Sequence, residues 1–151
     1  MTKLQTYIKE ADQQIVLANH LLTRTFPLSN DLKILLSVLQ VIHSAHEKIF
    51  LAVLDNDFLR PKISLTASFI IKFDAFSKLV LDKKLLSKEE LNIFKIVEEE
   101  WQYHKDSSVE FVKDDNIIMA DNNFKLQKIN EEKLKDYINK TTNILKKLFN
   151  R

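Results

Sequence analysis

The chain has 151 residues, 45% of them hydrophobic and 29% charged, with a formal net charge of +2. That is the size of one domain and the balance of a globular chain, so a single core over 1–151 is expected and no disulfide or metal is required to hold it. There is no Cys and no Gly, which removes thiolate metal sites and cysteine nucleophiles, and also the glycine-dependent phosphate loops, nucleotide fingerprints and nucleophile elbows.

The amino terminus, MTKLQTYIKEADQQ, carries charge and amides where an export signal needs an apolar run. The longest unbroken apolar run, Ile49 to Leu54, is too short to cross roughly 30 Å of hydrocarbon. A cytoplasmic location with no membrane partner is therefore expected. From Leu4 onward, Leu4, Ile8, Ala11, Ile15, Ala18 and Leu22 recur in alternating steps of four and three, the seam of an amphipathic helix. Pro27 is expected to end it, with Ser29 or Asn30 capping the next. A second helix runs through Leu35, Leu39, Ile42, His46, Ile49 and Val53, and His46 alone interrupts its apolar seam. The short connection between the two predicts an antiparallel pair.

Asp55-Asn56-Asp57 and Pro61 mark the next connection, and a third helix is predicted from about Ser64. Phe69, Phe73, Phe76 and Val80 lie on one face, with Lys72, Ser77 and Lys78 away from it. Ser87 and Glu90 have the spacing of a capping box and open a fourth helix with the stripe Phe94, Val97 and Trp101. After Asp106 the helical rhythm gives way to short apolar pieces broken by Asp114-Asp115-Asn116 and Asp121-Asn122-Asn123. Without Gly, Asn and Asp are the residues best suited to turn positions of positive φ, so a small hairpin of two or three strands is predicted at about 107–129. Asn130 then caps a last helix with the seam Leu134, Ile138, Thr141, Leu145 and Leu148. The expected fold is mainly all-α: an antiparallel bundle of about five helices with a small β-hairpin inserted before the last.

Three groups of side chains carry candidate chemistry. His43, His46 and Glu47 lie within little more than a turn of the second helix, and a metal site would need a further ligand from another helix, with His104, Glu100 or His20 as candidates. His104 beside Glu98, Glu99 and Glu100 could act as an acid-base pair, His104 with Glu100 being the catalytic candidates. Lys133, Lys140 and Lys147 repeat every seven residues and make a basic stripe in a segment with eight basic and three acidic residues from 125 to the end. Such a stripe could bind nucleic-acid phosphates, although Arg occurs only at 24, 60 and 151, which disfavours direct base reading. Each group also has a plainer explanation: a core His satisfied by a neighbour, the solvated end of a helix, and a solubilising lysine face.

The segments YIKEADQQIVLANHLL and HSAHEKIFLAVL resemble the paired long helices of HEPN-type domains over roughly the first 55 residues. Ribonuclease members of that group carry an Arg followed by His four to six residues later, and no Arg here stands at that spacing from His20, His43, His46 or His104. A more extensive resemblance, carried by HLLTRTFPLSNDLKILLSVLQ and HKDSSVEFVKDDNIIMADNNFKL, is to a family of uncharacterised archaeal helical proteins. That family has His-Leu-Leu before a Tyr/Phe-Pro-Leu bend and a Lys-x-Ser-Pro-Val-Glu-Phe segment; Ser108 stands where it has Pro. The resemblance implies a cytoplasmic archaeal protein and no particular activity. The expected function is a non-catalytic interaction or regulatory module that needs no cofactor and takes a protein partner or a second copy of itself. The alternatives are an HEPN-like RNA-directed protein or ribonuclease, and a His/carboxylate metal-binding bundle.

Overall fold

The computed structural model describes residues 2–55 and 68–150. In chain order it contains α1 (Lys3–His20), a π-helical turn (Leu21–Thr25), α2 (Phe26–Ser29), α3 (Lys33–Leu54), α4 (Phe69–Asp82), α5 (Lys88–Asp106), β1 (Val109–Lys113), β2 (Asn116–Ala120), β3 (Leu126–Ile129) and α6 (Glu131–Phe149). The protein is thus mainly helical, with one small antiparallel sheet before the last helix.

The amino-terminal helix is fastened by a capping box between Thr2 and Gln5. Pro27 does not end this helix. The backbone widens into a π turn in which the Phe26 amide bonds the Leu21 carbonyl, five residues back, and Pro27 then sits within the first turn of α2. The wider turn removes the clash of a proline ring with the preceding carbonyls, so the helical path continues. It stops at Asn30, which takes the left-handed conformation with φ 53°. Asn30 is therefore a terminator and not the cap of α3; Asp31 Oδ1 accepts from the Lys33 amide at 3.0 Å instead.

The chain returns through α3 and packs it along α1. Most of α3 faces other protein: Leu35, Val38, Leu39, Ile42, Ala45, His46, Ile49, Phe50 and Val53 are buried. At 22 residues it is long and apolar enough to cross a membrane by length and composition, although polar residues such as Gln40, His43 and Glu47 interrupt its apolar runs. Its apolar side is filled by α1, α4, α5 and α6.

The expected start of the third helix at Ser64, and the markers Asn56, Asp57 and Pro61, lie outside the described residues. The helix they precede, α4, supplies Phe69, Phe73 and Phe76, which surround Phe50 together with Phe94 of α5 at ring-centroid distances of 4.9 to 6.0 Å. Tilted contacts of this kind place the positive edge of one ring toward the negative face of another. Lys72, expected on the outer face, is instead buried, because the side of α4 next to the phenylalanines also faces Glu47 of α3. Lys84, with φ 56°, closes α4 in the place where a glycine would usually stand. Ser87 and Glu90 then form the reciprocal capping box, at 3.0 and 3.1 Å.

The predicted hairpin is a three-stranded antiparallel meander in the order β1-β2-β3. Lys113 pairs with Asn116 across a two-residue turn in which Asp114 and Asp115 both have positive φ, 52° and 61°; this is the I′ geometry that matches strand twist. In the second turn the left-handed residue is Phe124, at φ 61°, and neither Asn122 nor Asn123. Asp121 Oδ1 organises that turn by accepting from the amides of Asn123 and Lys125 at 2.8 and 2.9 Å. Ile117, Met119 and Ile129 place the inner face of the sheet in the same buried cluster as the helices. Finally, Asn130 caps α6 by accepting from the Lys133 amide at 2.9 Å.

Candidate functional site

A helical step of four residues sets His43 and Glu47 on one side of α3. The side of α5 that packs against them brings Glu98. His43 Nε2 lies 2.5 Å from Glu98 Oε2, and the Lys72 ammonium of α4 donates to Glu47 Oε2. Gln102 Nε2, one turn along α5, donates to the other Glu98 oxygen at 3.0 Å. The His43 ring stacks on Trp101, with centroids 5.6 Å apart. One donor atom from each of His43, Glu47 and Glu98 can be chosen so that all lie within 4.8 Å of one another. These side chains are partly buried, which strengthens their electrostatic coupling relative to open water.

His46 turns away from this group. Its Nε2 pairs with Thr141 Oγ1 of α6 at 2.8 Å and its ring meets Phe94 edge-on. Burial first, and then the neighbouring His43, lower its pKa to about 3. It is neutral across the physiological range and holds core packing together.

His104 and Glu100 do not form the expected acid-base pair. They are four residues apart on α5, but His104 Nδ1 bonds Glu110 Oε2 of β1 at 2.7 Å. Glu100 points into the contact with α6, where the Tyr137 hydroxyl donates to its Oε1 at 2.6 Å and the Lys133 ammonium approaches to 3.6 Å. Burial raises the Glu100 carboxyl above its usual range despite these partners. Its Oε2 is buried with no hydrogen-bond partner among the described residues. His20 is exposed at the end of α1, so it joins neither group.

The lysines of the predicted stripe each have a local partner. Lys133 also donates to the Lys128 carbonyl at 2.9 Å, Lys140 meets Asp136 at 2.9 Å, and Lys147 meets Glu90 at 2.6 Å. The Lys147 contact lowers the Glu90 carboxyl below its usual range.

Two further surfaces stand out. Between the start of α4, the second half of α5 and the β2–β3 turn lies an open cleft of about 960 Å³, lined by Phe69, Ile70, Glu98, Tyr103, Asp121 and Leu126 among others. Next to it, the outer side of the sheet carries an apolar row, bordered by Lys113, Asn116 and Lys128. The ladder aligns Val109 with Ala120 and Leu126, and Phe111 with Ile118; Val109, Phe111 and Leu126 are 53%, 43% and 61% exposed. Phe124 projects beside them, 85% exposed. In the sequence these residues look like core strands, since the run Ile117 to Ala120 is apolar at every position, and only the ladder register separates inner from outer. The chain matches no family model, no curated protein and no solved structure.

Proposed function

We propose that this protein is a non-catalytic interaction module that engages a protein partner through the outer face of its meander. The observation that carries this is the row of Val109, Phe111 and Leu126, exposed on either side of the buried Ile118 and Ala120 of the central strand. Apolar side chains gathered on one surface mark an association site more often than isolated ones do. The edge of β1 adds unpaired backbone groups to which an extended segment can bond, while alternate side chains supply selectivity. Leu126 also borders the cleft, so a bound segment would pass from the sheet toward the acidic groups Glu99, Asp106 and Asp121.

A protein partner is favoured over RNA because Lys133, Lys140 and Lys147 each face an acid or a carbonyl within α5, β3 or α6. The test is photocrosslinking inside cells from position 111, with position 143 on the exposed side of α6 as the reference. Specific adducts from 111, lost when Leu126→Lys is added, are expected. Equal labelling from the two positions would overturn the assignment. Sedimentation over a concentration series would show whether the partner is a second copy of the chain.

A further inference from the structure

We propose that His43, Glu47 and Glu98 form a site for one divalent transition-metal cation, separate from the sheet face. One imidazole nitrogen and two carboxylates form a donor set suited to zinc and its first-row neighbours, which accept mixed nitrogen and oxygen ligands. Three protein ligands leave at least one position for water.

The geometry comes from the packing of rigid elements. His43 and Glu47 share one side of α3 and Glu98 arrives from α5, so two helices fix the three donors within 4.8 Å of one another. Each carboxylate has a second oxygen or neighbour that orients it: Gln102 donates to Glu98 Oε1 and Lys72 to Glu47 Oε2. Contacts of this outer kind hold metal ligands in position. Glu98 also lines the large cleft, which gives an ion and its water a path from solvent.

The proton balance is simple. His43 Nε2 and Glu98 Oε2 face each other at 2.5 Å. A cation bound between them takes the place of that hydrogen bond, and the neutral imidazole then carries its single proton on Nδ1. Two carboxylates and Lys72 leave the neutral-imidazole cluster with one net negative charge, so the incoming cation is attracted, but Lys72 opposes it. Lys72 therefore sets the affinity below what the three ligands alone would reach.

The test is isothermal titration of the purified full chain with zinc, with magnesium as a control, supported by the visible spectrum of the cobalt form. One zinc per chain is expected, with binding weakened at least tenfold in Glu98→Gln and in His43→Gln. Lys72→Gln should bind zinc about tenfold more tightly, since it removes a unit charge close to the ion. Circular dichroism confirms that each variant is folded, and Glu47→Gln replaces any that is not. Absence of zinc binding by the native chain would overturn the site, as would zinc binding unchanged in Glu98→Gln and His43→Gln. Either result leaves the crosslinking from position 111 unaffected.

Discussion

His46 Nε2 and Thr141 Oγ1 lie 2.8 Å apart although 95 residues separate them in the chain. The bond joins α3 to α6 through the interior, and its ring is held neutral by burial. Protonation of that ring must therefore be paid for by the folded state. The unfolded chain takes up the proton near the ordinary value of 6.5, whereas folded His46 does so only at about 3. Between these values the unfolded chain binds more protons, so His46 contributes stability that is complete above about pH 6.5 and lost as the pH falls toward 3. The slope from this residue approaches roughly 1.4 kcal/mol per pH unit. Urea denaturation should show it in the native chain, and His46→Gln should flatten that part of the profile. An identical acid profile in the variant would remove His46 as the cause.

Glu100 behaves in the opposite sense. Its carboxyl is raised by burial, so folding favours the protonated form, and its contribution is greatest at low pH and declines as the pH rises through its folded value. Glu100→Gln removes the charge and keeps an oxygen for the Tyr137 hydroxyl. The variant should be more stable than the native chain by about 1 kcal/mol near neutrality, since a buried charge with incomplete pairing costs more than a neutral amide. The difference should shrink below the usual carboxylate range. Melting temperatures at neutral and acid pH measure both parts.

Phe50 stands in the middle of four other phenylalanines and is fully buried. Phe50→Ala should cost about 3–5 kcal/mol, and Phe50→Leu distinctly less, because the cost follows the volume left empty. Equal denaturation midpoints for the two variants would contradict this packing.

At Phe124 an exposed aromatic ring occupies a left-handed backbone position. A β-carbon there costs roughly 1–2 kcal/mol, which Asn offsets through local hydrogen bonding. Phe124→Asn should raise stability by about 1 kcal/mol, read as an increase in the urea midpoint, and should lower the crosslinking yield from position 111. Backbone strain held beside a binding surface is often retained because the side chain is used. A variant that gained stability and kept full crosslinking would show that Phe124 takes no part in binding.

The elements that were legible in the sequence are those whose signals are local. Ser87 and Glu90 are three residues apart, Asn130 stands directly before its helix, and the Asp114-Asp115 turn lies between two apolar runs; each is satisfied by neighbours in the chain. The third strand was open in the sequence because apolar runs of this length specify strands but not their number. Residues whose place depends on distant packing were harder to assign. A helical repeat put Lys72 opposite its phenylalanines, but could not show that α3 would bring Glu47 to meet it. In the same way Glu98 looked like one of three equivalent acids, until the packing of α3 gave it His43 and left Glu100 to Tyr137.

The π turn at Leu21–Thr25 makes chain length itself a design variable at one point of the protein. Five residues from Leu21 to Phe26 close the single turn that four would close in an α-helix, so the wider turn absorbs one surplus residue and still presents Phe26 to the core. Excision of the exposed Thr23 would let the backbone relax to ordinary α geometry with little change in the direction of Phe26. Codon-level deletions should therefore be tolerated better here than inside α3, where each lost residue turns everything beyond it through roughly 100°.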